Sequence, residues 1–144
     1  MINMKAERQF IGNSTYRSRL VDGHFHTELC PHGSGDRTAL MIEKAIELRI
    51  EKVCLTEHAP LPKAFEAEYS GDKIAYDTAS LKLNQVDSYL ELGRELQRAY
   101  GTHIDISLGF EVDYIPGFES DIQDFLDRYG PLTDDNILSV HFME

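Results

Sequence analysis

Four short runs of apolar and β-branched residues recur along this chain. Helix-length segments separate them, and each run carries histidine or glutamate at or near its carboxyl end. They are Leu20-Val-Asp-Gly-His-Phe-His26, Lys52-Val-Cys-Leu-Thr-Glu-His58, Ile104–Tyr114 and Asn136-Ile-Leu-Ser-Val-His-Phe142. Strands alternating with helical crossovers predict an α/β fold with parallel strands in the order β-α-β-α-β-α-β. In such folds ligands gather at the carboxyl ends of the strands. That is where His24, His26, His58, Glu111 and His141 stand, with His32 a few residues beyond the first run.

The intervening segments support this order. Ser34-Gly-Asp36 offers capping side chains before Thr38–Ile50, where Ala39, Ile42, Ala45 and Ile46 keep helical spacing. The second run breaks at Ala59-Pro-Leu-Pro62, because proline cannot continue a central strand. Residues 63–76 have no clear period and a Ser70-Gly71-Asp72 turn signal, which predicts a loop beside the site. From Asp77 to Tyr100 the spacing predicts one long amphipathic helix, stopped by Gly101. A third helix, marked by Phe118, Ile122, Phe125, Leu126 and Tyr129, ends at Gly130-Pro131.

Composition limits the function. With 144 residues and 42% apolar content the chain fits one domain with a real core. The net charge of −11 argues against nucleic acid or an anionic membrane as partner. Residues 1–19 hold four basic residues against Glu7 alone and are expected to form a polar amino-terminal arm before a domain over 20–144. No run of about 18 apolar residues predicts a membrane span. Two cysteines, Cys30 and Cys54, and no secretory signal lead us to expect the cytoplasm.

Imidazole and carboxylate are ligands for zinc, iron or manganese. His24 and His26 are two residues apart, so on a strand both rings face one side and can clamp one ion. Behind Cys30-Pro31, His32 can be turned back toward them. His58, at the end of a buried run, reads either as a core histidine bonded to a carbonyl or as a ligand. Glu111 and His141 sit in apolar runs, where an unpaired carboxylate needs a cation or donors. His103 has no such setting and reads as a surface residue. Cys30 reads as a bystander or a thiolate ligand, and Cys54 as core. Asp22 and Asp113 either orient imidazoles or serve as caps and surface charges. Neither a phosphate-cradling glycine loop nor a serine-nucleophile elbow is present.

Together, His24-x-His26, Cys30-Pro-His32-Gly, Thr56-Glu-His58-Ala-Pro-Leu-Pro62, Gly109-Phe-Glu111-Val-Asp and Ser139-Val-His141-Phe resemble the PHP (polymerase and histidinol phosphatase) superfamily. Within it, the second and third motifs are similar to the histidinol-phosphate phosphatases of histidine biosynthesis. The resemblance implies a distorted seven-stranded parallel β/α barrel, of which this chain supplies about four strands. It also implies up to three zinc, iron or manganese ions, and hydrolysis of L-histidinol phosphate to L-histidinol and phosphate. Carried over, His24, His26 and Glu111 would hold one ion, and His32 and His58 a second. Glu111, as a bridge, and His141 would begin the third.

No side-chain nucleophile is implied; a metal-activated water would attack phosphorus. The family pattern continues with another histidine and an Asp-x-His pair that are not among these residues. The chain is therefore expected to be the amino-terminal half of a PHP domain, with little turnover alone and open sheet edges that invite self-association. Two rivals remain: a PHP-type nuclease or proofreading module acting on DNA ends, and a metal-binding remnant without catalysis.

Overall fold

The computed structural model of the protein describes residues 19–142, so all but the last residue of the expected arm lies outside the described residues. Four strands form one parallel sheet in sequence order: β1 (Val21–Phe25), β2 (Lys52–His58), β3 (Asp105–Asp113) and β4 (Ile137–Ser139). β2 and β3 pair over their whole shared length, from Lys52↔Asp105 to His58↔Glu111. This register sets His58 and Glu111 side by side. β1 carries an irregularity between Asp22 and Phe25, just where His24 lies.

Helices α1 (Thr38–Glu47), α4 (Val86–Tyr100) and α5 (Glu119–Tyr129) supply the connections between successive strands. Side chains alternate along a strand, so Leu108, Phe110 and Val112 of β3 enter the apolar core while Ser107, Gly109, Glu111 and Asp113 take the opposite face. Tyr89 and Leu90 of α4, Ile42 of α1 and Val53 and Leu55 of β2 complete that core. Burying each large apolar side chain contributes about 1.5–3 kcal/mol. Gly93 lets α4 lie close on β3, since a Cβ there would meet Leu108 Cδ1 at 2.4 Å.

α1 ends in a Schellman turn whose left-handed residue is Arg49, at φ 60. The Arg49 N–H donates to Ile46 O at 3.0 Å and the Ile50 N–H to Ala45 O at 2.9 Å. Residues 134–136 cross beside β3 before β4 begins. The Asp134 carboxylate accepts from the Leu108 N–H at 3.0 Å, and Asn136 Oδ1 accepts from the Phe110 N–H at 2.9 Å. Gly109 makes the crossing feasible, because a Cβ there would fall 1.4 Å from Asp135 O.

Several expectations are corrected. Ser34 and Asp36 bond each other and do not cap α1; the Thr38 N–H is taken by the Glu28 carboxylate, while the Glu28 N–H donates to Thr38 Oγ1 at 3.1 Å. Residues 63–76 hold α2 (Phe65–Glu68) and the start of α3 (Lys73–Thr78), held by contacts among Phe65, Tyr69 and Tyr76. The long helix expected from Asp77 begins only at Val86, after a 3-10 turn at Leu83–Gln85. Leu81 is buried and its N–H donates to His58 O at 3.2 Å, which pulls the chain onto the end of β2 and breaks the helix. β4 stops at Ser139, so His141 follows the strand and is half exposed instead of buried.

Candidate metal centre

Glu111 lies at the middle of the site, on the face of β3 away from the helices, with a side chain only 6% exposed. Four imidazoles surround its carboxylate. His24 Nε2 is 3.2 Å from Oε2, His26 Nε2 is 3.3 Å, and His58 Nδ1 is 3.3 Å. His141 Nε2 lies 3.3 Å from Oε1. His32 stands at the edge of this group, its ring 5.9 Å from that of His26 and 5.1 Å from that of His58. All six expected residues converge at one end of the sheet.

Outer partners decide which ring nitrogens face inward. The Nδ1 atoms of His24, His26, His32 and His141 lie within hydrogen-bonding distance of Thr56 Oγ1 (2.7 Å), Glu57 Oε1 (3.0 Å), the Thr78 carbonyl (2.8 Å) and Asp113 Oδ1 (2.7 Å). Carboxylates and carbonyls only accept, so these partners hold a proton on Nδ1 and leave Nε2 as a lone pair. Thr56 donates its own hydroxyl hydrogen toward Cys54 O and takes the same accepting role. Neutral imidazoles so oriented turn acceptors toward a carboxylate that also only accepts. Among the described residues, the two buried side-chain atoms without a hydrogen-bond partner are His58 Nδ1 and Glu111 Oε2. Acceptors crowded together without a donor fit a cation.

Three groupings of ligand atoms arise: His24, His26 and Glu111; His58, Glu111 and His141; and His26, Cys30 and His32. The first two share Glu111, whose two oxygens face different histidines. In the third, His32 is joined by Cys30, and burial pushes that thiol up to about 11. Burial pulls His58 below the usual imidazole range, which keeps its ring neutral. The hydrogen bond to Glu57 pushes His26 up. Burial alone would raise Glu57, but the bonds it accepts from His26 and Thr27 outweigh that and hold it low.

The structure also answers smaller questions. Asp113 orients the His141 ring, whereas Asp22 accepts from the His24 backbone N–H at 3.4 Å and does not reach an imidazole. His103 is exposed and Cys54 is buried, as expected. Glu57, Thr56 and Thr78 escaped the sequence reading. Glu57 gave a signal, a carboxylate inside an apolar strand run, but Thr78 contributes only a carbonyl, which no side-chain pattern reveals. A 240 Å³ cavity lined by His32, His58, Ala79, Asp113, His141 and Phe142 opens beside this cluster. No helix among the described residues is long and apolar enough to cross a membrane.

Comparison with known proteins agrees with this geometry. The model of the PHP domain matches residues 22–144. A histidinol-phosphatase from Bacillus subtilis is 41% identical over 122 residues, which cover 85% of this chain and 44% of the relative. A Listeria monocytogenes crystal structure assigned to the histidinol phosphatases superposes with a TM-score of 0.84 at 44% identity, covering 86% of this chain and 46% of the other. The histidinol phosphate phosphatase of Lactococcus lactis, solved with zinc, L-histidinol and phosphate, superposes with a TM-score of 0.65 at 25% identity. That match covers 87% of this chain and 41% of the other. The chain thus spans less than half the length of these relatives.

Proposed function

Because the chain belongs to the PHP domain family, we infer that it forms part of a metal-dependent phosphomonoester hydrolase. Its substrate is L-histidinol phosphate, cleaved to L-histidinol and phosphate in the cytoplasm during histidine biosynthesis. The observation that carries the metal requirement is the pair of orphaned buried atoms, His58 Nδ1 and Glu111 Oε2, at a centre made of acceptors. The substrate is supported by the relatives' names and by the ligands of the Lactococcus lactis structure.

His24, His26 and Glu111 would hold one ion, and His58, Glu111 and His141 another, with Glu111 between them. His32 would complete a further position beside His26. Zinc, iron or manganese bound there would lower the pKa of water and neutralise phosphoryl charge. The chain's own contribution is orientation. Asp113 keeps the proton of His141 on Nδ1, Thr56 does the same for His24, and the Thr78 carbonyl for His32. With cations bound, the site would offer an anionic phosphate a foothold that the surrounding net charge of −11 does not. The same net charge of −11 disfavours the nuclease reading.

The further histidine and Asp-x-His of the resembled pattern fall outside these residues, so this chain alone is expected to bind metal but turn over slowly or not at all. The edge strands β1 and β4 present exposed Val21 and Leu138, which favours association with a partner that pairs them. The test combines metal analysis of the purified chain with calorimetric binding of L-histidinol phosphate and assays of phosphate release, with single-stranded DNA as comparator. Zinc-dependent binding of the phosphomonoester, or release abolished by EDTA, supports the reading. A chain that takes up no metal, release that survives complete chelation, or preference for DNA refutes it.

A further inference from the structure

We propose that Glu57 is a positioning residue: one oxygen fixes His26 with Nε2 toward Glu111, and the other anchors the Thr27 turn that carries Cys30 and His32. This rests on the metal-centre reading above and concerns how the centre is held in shape before any ion arrives.

Glu57 is fully buried, where an ionised carboxylate is tolerated only if donors surround it. Its oxygens have four. Oε1 meets His26 Nδ1 at 3.0 Å and the His58 N–H at 3.3 Å. Oε2 accepts from the Thr27 N–H at 2.9 Å and the Thr27 hydroxyl at 2.8 Å. One carboxylate therefore joins the end of β1, the end of β2 and the start of the intervening loop. Thr27 is itself the hub of that loop, since Leu29 N–H donates to its hydroxyl at 3.2 Å and Cys30 N–H to its carbonyl at 3.1 Å. From there the chain runs to His32, whose Nδ1 is tied to Thr78 O.

Only a group with two accepting oxygens serves both ends. Glutamine at this position would set an N–H₂ against either the Thr27 N–H or the protonated Nδ1 of His26. If the amide turns its N–H₂ to the ring, His26 must move its proton to Nε2. That proton would then lie between the ring and Glu111, where the ion belongs. A merely structural glutamate would have no such consequence, because loss of a loop tether does not choose a tautomer.

Two measurements on the 144-residue chain test this. Long-range ¹H–¹⁵N NMR of the metal-free protein should show His26 protonated at Nδ1, and calorimetry should show zinc binding. In Glu57→Gln the proton should move to Nε2, and zinc affinity should fall about 10–100-fold, the range found when partners behind metal-bound histidines are lost. Thr27→Val, which removes the hydroxyl's bonds with Glu57 and Leu29 but leaves the residue 27 N–H on Glu57, should keep the wild-type tautomer. A folded Glu57→Gln with unchanged zinc affinity, or a wild-type His26 protonated at Nε2, overturns the proposal. Should Glu57→Gln fail to fold, the wild-type tautomer alone decides. If the wild type shows the Nδ1 proton yet binds no zinc, the hydrolase reading fails and the positioning role stands.

Discussion

Replacing Glu111 with glutamine should make the metal-free protein more stable while removing its response to metal. Around this carboxylate stand four ring nitrogens at 3.2–3.3 Å, and its Oε2 has no hydrogen-bond partner. Outer partners hold the Nδ1 protons of His24, His26 and His141, so the centre sets a buried carboxylate among ring lone pairs. An unsatisfied buried polar group costs about 1–3 kcal/mol, and more when charged. Glu111→Gln keeps the shape, removes the charge and places two N–H donors among those acceptors. The expected gain in EDTA is therefore about 1–3 kcal/mol, or roughly 3–5 °C in Tm per kcal/mol for a domain of this size. Wild-type protein should gain about 2.7 kcal/mol from zinc at one hundred times its Kd, whereas the variant, lacking the shared ligand, should gain little. Thermal and urea unfolding of both proteins, with EDTA and with zinc, provides the comparison. A variant less stable than wild type in EDTA, or one with the full zinc response, would refute the idea that this centre is strained without a cation.

Two backbone predictions follow from the fold. Arg49→Gly should stabilise the chain by about 0.5–1 kcal/mol, read as a higher urea midpoint, because glycine occupies the left-handed position without the Cβ clash arginine suffers at φ 60. Gly109→Ala should cost at least about 1–3 kcal/mol, seen as lost soluble yield or a lower midpoint, since the new Cβ would strike the Asp135 carbonyl, which belongs to backbone and cannot swing aside.

Legibility from sequence followed the range of the forces involved. β2 was readable to the residue, because an apolar run ending at prolines is shaped by its own side chains. The six candidate residues stood out because imidazoles and a carboxylate recur at or near successive strand ends, and the structure brings all six together. What failed depended on distant partners. The helical period from Asp77 is genuine, yet the bond from Leu81 to His58 O overrides it. Capping by Ser34 was plausible locally, but Glu28 takes the N–H it would have served. The exposure of His141 follows from where the β3–β4 ladder ends, its last rung being the Tyr114 N–H donating to Ser139 O at 2.8 Å. Glu57 was overlooked although the argument applied to Glu111 fitted it equally well.

The crossing of residues 134–136 beside β3 governs how His141 is delivered to the cluster. A parallel strand of three residues holds its alignment weakly, and a slip of one position would turn every following side chain to the other face. Asp134 and Asn136 grip alternate N–H groups, at Leu108 and Phe110, two residues apart on both segments. They work like two teeth of a ratchet, meshing at only one setting. The placement of His141 is thereby decided five to seven residues upstream of it, by side chains bonded to the backbone of β3 at Leu108 and Phe110.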